Sequence, residues 1–449
     1  MAANGTTDDG LRIAIGFPSA VMLVIGGIIG VGIFVNPAVV AHSLHSPELV
    51  MAAWTLGGLV ALLGAFVYAE LGARISSTGG EYAYLRQAYG PLAGFLFGWT
   101  TLLVVQAGGM AAVAIVFAKN LDLLFDGRLS EPALAVGGLM ILASINCMGV
   151  VLGNGVQAVL GLLKIAAIGA VIVVGLCIAA PSIPPVAHAI RPEPASLKAF
   201  GAAMIPVLFS YGGWQTANYV ASEMKDSRRN LARALLIGVA AVITLYLLVN
   251  LACLRALGAS GLGATLTPVS DVLRLSVGAS AAKLAAAAIA LSAIAYLSQA
   301  MLTGPRVYFA MARDGLFFRR AASVAAGSRA PVIAIMLQAA WTCVLALSGS
   351  YEQILSYVIA MNFLFFGLTA SCVFVLRRRD QASNALDGFR APWHPWTTGL
   401  FIVACVVVVG CSFWAYPLNS LIGYAMLLLG VPPYLYWRAR DKHRRPDAE

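Results

Sequence analysis

Uninterrupted apolar runs of about 20 residues recur along this chain, each long enough to cross the ~30 Å hydrocarbon layer of a bilayer. In lipid every backbone polar group must be satisfied within the chain, which leaves only helices and closed barrels. The runs are continuous rather than alternating, so a barrel is excluded. Composition agrees: 60% of the 449 residues are hydrophobic and 11% are charged, against about 25% charged in a soluble domain. The expectation is an all-α membrane protein of 12 transmembrane helices, at roughly 13–41, 48–73, 92–118, 132–151, 155–180, 200–222, 232–255, 280–311, 331–349, 352–376, 397–416 and 418–437. The N-terminus is short and polar, with Asp8 and Asp9, and the first run is too long for a signal-peptide core, so no cleavable signal is expected.

The formal net charge of +10 raises nucleic acid as a partner, but the placement of the charges argues against it. With the N-terminus set in the cytoplasm, 20 of the 29 Lys and Arg fall in loops and tails on that side, among them Arg228, Arg229, Arg233, Arg377, Arg378, Arg379, Arg438, Arg440, Arg444 and Arg445. Seven fall on the other side, and Lys164 and Arg306 lie inside spans. This positive-inside bias predicts a multi-pass protein of the cytoplasmic membrane with both termini cytoplasmic. The seven cysteines sit in or at the ends of apolar runs, without metal-ligand spacing, and read as packing residues. His42, His45, His188, His394 and His443 fall in loops or tails. No metal cluster, nucleotide loop or nucleophile motif is present, so neither a cofactor nor a catalytic site is expected.

The chain reads as one polytopic membrane domain over 1–449. Its longer outer loops, ~181–199 and ~256–279, are short and Pro-, Ala- and Gly-rich. Ser76–Gly90 suggests a short helix along the inner membrane face. The first run carries Gly26-Gly-Ile-Ile-Gly-Val-Gly32, and the sixth carries Ser210-Tyr-Gly-Gly-Trp214, each with a proline upstream, Pro18 and Pro206. Gly26 and Gly30 also fit a simple helix-packing motif. Two Gly/Pro-interrupted spans at matching places in two halves instead indicate a transporter built on inverted repeats. The repeats would be 13–180 and 200–376, with 397–437 outside them.

An unwound segment at that depth survives only against a cavity or a ligand. A half-helix that starts at a break offers free N–H groups to an anion, and one that ends there offers carbonyls to a cation. The amides of Val31 and Gly32 suit a carboxylate; the carbonyls of Ile28, Phe209 and Gly212 suit an ammonium. Together they fit an α-amino acid. Its side chain would lie among Phe209, Tyr211, Trp214 and spans three, eight and ten. Those spans hold no central Asp or Glu, which favours neutral side chains. Lys164 lies near the centre of span five, ~13 Å along from Gly155. Snorkelling to the interface is one reading; a fixed cation or a proton carrier beside the first break is the other. Glu70, at the inner end of span two, is expected to pair with gate arginines, and Arg306 and Glu223 share that gate reading.

Gly27-Ile-Ile-Gly-Val-Gly-Ile-Phe-Val-Asn-Pro37 resembles the span-one signature of the amino acid–polyamine–organocation superfamily. Leu208–Leu231 resembles span six of its L-type amino acid transporter branch, and Tyr68-Ala-Glu-Leu-Gly72, Gly79-Gly-Glu-Tyr82, Lys164 and Ala312-Arg-Asp-Gly315 extend the likeness over nearly the whole chain. The resemblance implies a LeuT-like 5+5 inverted repeat with discontinuous helices 1 and 6. It implies a substrate site at Ile28, Gly30, Val31, Gly32, Phe209, Ser210, Tyr211 and Gly212. Phe209, with Trp214, would gate the outer side, and Glu70 and Arg306 the inner. Lys164 at its position goes with sodium independence. Val31 stands where relatives often have Ser, Thr or Ala, so a hydroxyl contact is lost while the amide remains. Animal members join a glycoprotein through a cysteine after span three. The loop Lys119–Glu131 has none, which predicts no disulfide-linked heavy chain, a monomer or weak homo-oligomer, and a bacterial source.

The expected function is sodium-independent transport of neutral L-amino acids by alternating access, through exchange. The alternatives are a proton-coupled symporter and a cationic amino acid or polyamine antiporter. A non-transporting sensor lacks an output domain or a long tail here. A membrane enzyme and a major-facilitator fold complete the rivals; the latter's basic loop after span two is missing from Leu71–Ser77.

Overall fold

Each span begins and ends where local chemistry allows it. The Ser46 hydroxyl accepts the Leu49 amide at 3.3 Å, and Pro47 opens the helix that follows, at a position where a missing N–H costs nothing. Ser130 does the same for Ala133, with a proline again in the first turn. The computed structural model describes residues 6–7, 9–178, 197–348, 351–380, 388–415 and 417–442. Asp8, His188, His443, Arg444, Arg445 and most of the loop at 181–199 lie outside the described residues.

Eight helices among these residues are long and apolar enough to cross a membrane: Pro47–Arg74, Pro91–Leu124, Val150–Cys177, Ser227–Ala264, Ala281–Arg313, Met361–Arg379, Trp396–Trp414 and Ser420–Arg440. The pair Phe17–Ile28 and Gly32–Leu44, bent by 42° at its break, makes a ninth. Shorter apolar helices, Glu131–Cys147 and Val332–Ser348, occupy spans four and nine. Span six is Leu197–Ser210, a turn, and a 3-10 segment, Trp214–Glu223. Every expected span is therefore occupied by helix, and no strand occurs among the described residues beyond two isolated bridges.

Several boundaries move, span three running on to Leu124 and span five starting at Val150 among them. Span one starts at Phe17 rather than Ile13, because the amides of Ala14 and Ile15 both donate to the Glu223 carbonyl at 3.0 Å. It runs on to Leu44, so His42 sits in a last helical turn, its Nδ1 3.1 Å from the Gly263 carbonyl, rather than in a loop. The loop expected at 256–279 is mostly helical: Ser227–Ala264 continues past a kink at Gly258, and Pro268–Val277 follows. The many Ala and Leu residues there favour helix over loop. Ser76–Gly90 contains the short helix Glu81–Tyr89, which buries Glu81, Tyr82, Tyr84 and Leu85 at the face that carries most of the arginines, here the basic face.

Span seven lies along span two, span eight along spans three and five, and span ten along spans three and eleven. The first half of span one packs on span seven and on the 3-10 segment; its second half packs on the first half of span six. Spans three and eight are the most enclosed, with 78% and 67% of their apolar stretch buried, whereas span twelve has 22%. The interrupted pair and spans three and eight thus form the centre. The exposed apolar side chains on peripheral spans, such as Ile141, Val406 and Leu421, suit contact with lipid. All seven cysteines are free; Cys253, Cys372 and Cys405 are buried, while Cys177 is exposed rather than packed.

Candidate functional site

The two breaks touch each other through glycine. Gly213 has φ +106°, and a Cβ there would lie 2.0 Å from the Gly27 carbonyl oxygen; a Cβ on Gly27 would lie 2.6 Å from the Gly213 oxygen. A side chain at either position would push the two backbones apart. Gly26 meets Gln157, whose Nε2 donates to the Met22 carbonyl at 3.3 Å. These two glycines pack helices, while the three residues Ile29 to Val31 leave the helix.

At the first break the scaffold holds the carbonyls. The Ile28 oxygen accepts the Tyr246 hydroxyl at 3.2 Å, the Gly30 oxygen accepts Ser292 Oγ at 2.9 Å, and Lys164 Nζ donates to the oxygens of Ile29 and Gly26, the latter at 3.3 Å. The amides of Gly30, Val31 and Gly32 have no partner among the described residues. They lie at the N-terminal end of the 13-residue helix Gly32–Leu44, where the helix dipole favours an anion.

The second break is arranged in the opposite sense. The Gly212 amide closes onto the Phe209 carbonyl at 3.1 Å, and the Ser210 carbonyl accepts the same Tyr246 hydroxyl at 3.1 Å. Gly213 is held by Gln215 and Thr216. The Gly212 carbonyl carries no hydrogen bond among the described residues. Of the three carbonyls expected to face an ammonium, those of Ile28 and Phe209 thus already have one donor each, and Gly212 is open. Ser210 Oγ donates to the Pro206 carbonyl at 2.8 Å and accepts Asn36 Nδ2 at 2.7 Å, which ties the two half-helices together.

The aromatic side chains face differently from the sequence expectation. The Tyr211 ring is buried against Trp54 and Tyr246 on spans two and seven. Trp214 is enclosed by Tyr68, Phe366 and Phe401 on spans two, ten and eleven. Neither ring lines a pocket with spans three and eight. A ring on an interrupted helix follows the nearest apolar wall, and here that wall is scaffold. Phe209 is half-buried. The neighbours of the free amides are Tyr296, 3.8 Å from a Gly30 Cβ, and Met110, Val113 and Leu297, which pack with Val31. Lys164 is fully buried.

Two buried carboxylates, Glu70 and Glu223, form separate ion-pair centres. Glu70 is buried and holds Arg74 at 2.7 Å, Arg377 at 2.6 and 2.8 Å, and the Ala391 amide at 2.7 Å. Arg306 and Glu223, both buried, pair twofold at 2.7 and 3.0 Å, and Arg306 also donates to the Leu302 carbonyl. Glu70 and Arg306 belong to separate centres rather than to one. The sequence reading missed Tyr246, Asn36 and Ser292. Their signal was a hydroxyl or amide in an otherwise apolar run.

The family profile for amino acid permeases matches residues 15–432. The serine/threonine exchanger SteT of Bacillus subtilis is 32% identical over 97% of this chain and 99% of its own length. The mouse large neutral amino acids transporter small subunit 2 is 28% identical over 98% of this chain and 84% of its own length. The mouse Asc-type amino acid transporter 1 is 28% identical over 96% and 83%.

Proposed function

The chain belongs to the amino acid permease family, a family of transporters rather than enzymes, and on that premise we propose that it exchanges neutral L-amino acids across the cytoplasmic membrane by alternating access, without sodium. The observation that carries this reading is the pair of breaks: free amides at Gly30, Val31 and Gly32 beside a free carbonyl at Gly212. Those groups match the carboxylate and ammonium of one α-carbon. The polar side chains around them, Asn36, Ser210, Ser292 and Tyr296, are neutral, which disfavours a cationic amino acid or a polyamine. Relatives named for serine/threonine exchange and for large neutral amino acids support the neutral class.

In this reading Ile28, Gly30, Val31, Gly32, Phe209, Ser210, Tyr211 and Gly212 form the substrate site, through backbone rather than side chains. Phe209 gates one side, and Glu70 and Arg306 the basic, cytoplasmic side, whereas Trp214, expected to gate with Phe209, is enclosed by Tyr68, Phe366 and Phe401 and has no part in that gate. Lys164 supplies a fixed cation beside the first break. The pairing of span seven with two and of eight with three, and the crossed contacts of the two broken spans, support a LeuT-like inverted repeat over 13–180 and 200–376. The chain works without a disulfide-linked partner.

Reconstituted protein in proteoliposomes tests this. Labelled L-serine or L-leucine should enter vesicles preloaded with unlabelled neutral amino acid, at the same rate in sodium or choline buffer. Uptake into empty vesicles that tracks an inward proton gradient would select proton symport instead. No uptake of any amino acid would remove the assignment.

A further inference from the structure

Glu81 begins the short basic-face helix, is buried at 1% exposure, and has no part in the mechanism above. Its Oε1 accepts the Tyr68 hydroxyl at 2.6 Å and its Oε2 the Tyr219 hydroxyl at 2.9 Å. Glu81 makes no ion pair among the described residues. One carboxyl therefore joins span two, its own helix and the 3-10 half of span six.

The junction reaches the second break. Tyr68 lies edge-on to Trp214 at 4.8 Å between ring centres, and Trp214 is the first residue of the 3-10 segment. Around Tyr219, the Gly79 amide donates to its carbonyl at 3.0 Å and Tyr84 donates to Asn218 at 2.9 Å. Displacing the segment Trp214–Glu223 from the basic face must break the Tyr219–Glu81 bond. The groups that face Glu81 carry no positive charge: Tyr68 on span two, Tyr84 on its own helix, Tyr219 on span six with Tyr308 of span eight behind it, and Cys372 on span ten. The nearby charges, Glu70 with Arg74 and Arg377, Glu223 with Arg306 and Asp314 with Arg86, are paired among themselves.

We propose that Glu81 is a proton-binding site that latches the basic-face half of span six: protonated, it holds Trp214–Glu223 closed, and ionised, it favours opening. An ionised carboxylate buried without a cation is costly, and hydration relieves that cost only if the segment parts from it. Burial pushes the Glu81 carboxyl up to about 7, with the Tyr68 and Tyr219 hydroxyls acting in the other direction. A carboxyl raised in the closed arrangement favours that arrangement at low pH, and the contribution fades as pH rises through about 7. The elements around Glu81 meet at the basic face, so its proton returns to the compartment it came from. The latch sets the rate of opening from that side and adds no driving force.

The proposal rests on the reading that the basic face opens during transport, and it is tested without substrate. Hydrogen exchange of the 214–223 amides is followed in the full-length protein in lipid nanodiscs from about pH 5 to about pH 8, spanning the range below and above the Glu81 value of about 7, after correction for intrinsic exchange. Wild-type protection should fall as pH rises towards about 7, by up to about tenfold per unit, the limit for one linked proton, and level off above it. Glu81→Gln should keep its acid-side protection across the range. Tyr219→Phe removes a donor that holds the ionised form, so its midpoint should move upward. Flat wild-type protection, or a Glu81→Gln profile with the wild-type slope, overturns the proposal. If Glu81→Gln does not fold, Tyr219→Phe decides: a uniform loss with an unmoved midpoint overturns it as well.

Discussion

Two glycines of the interrupted segments differ sharply in what a methyl group would do. At Gly213 an added Cβ meets backbone at 2.0 Å with φ at +106°, whereas at Gly30 the nearest atom is 3.8 Å away on Tyr296. Gly213→Ala should therefore lower the melting temperature in detergent and abolish exchange. Gly30→Ala should stay within about threefold of wild type in affinity, since no packed atom must move. Equal damage from both would mean that the Gly27–Gly213 contact does not organise the site. Lys164 carries a different risk, because it satisfies two carbonyls that the break has freed. Lys164→Met leaves them buried without a donor, a penalty of about 1–3 kcal/mol for each unsatisfied group. Exchange should drop at least about tenfold, taking 1.4 kcal/mol per decade. An indifferent variant would remove the fixed-cation role.

Among the elements, the 3-10 half of span six is tethered at its end by Glu223. Glu223 holds Arg306 through its side chain and the N-terminal strap through its carbonyl, and Lys225 donates back to Ile15. A buried pair is costly to break from one side and cheap to replace from both. Glu223→Gln or Arg306→Met alone should destabilise the protein by about 3–5 kcal/mol, while the double Glu223→Met, Arg306→Met variant should recover most of the loss. Thermal unfolding in nanodiscs checks the cycle. The double variant should also weaken closure of the basic face, because two facing methionines hold less specifically than a twofold ion pair.

For the whole molecule, the arginine bias predicts which face is cytoplasmic, and accessibility can read that directly. In a background with the seven native cysteines replaced, Arg128→Cys should react with a membrane-impermeant maleimide in intact cells. Ala326→Cys should react only after lysis. Both positions are exposed, so an inverted pattern would reverse the topology. Much of the architecture was legible without coordinates. Continuous apolar runs admit only helices in lipid, paired glycine interruptions mark the two broken spans, and Lys164 and Glu70 announce themselves as charges in apolar surroundings. What the sequence could not carry was direction. Nothing local distinguishes a tyrosine that faces the breaks from one that faces the scaffold. Only the packed structure turns Tyr211 and Trp214 away and brings Tyr246, 36 residues past Ser210, onto the carbonyls of both breaks. The pairing of Glu70 with Arg377, 307 residues away, and the convergence of the Tyr68 and Tyr219 hydroxyls on Glu81 were equally invisible. Hydropathy and helix breaking are properties of neighbours along the chain, whereas the partner of a buried polar group is chosen by whichever distant helix packs beside it.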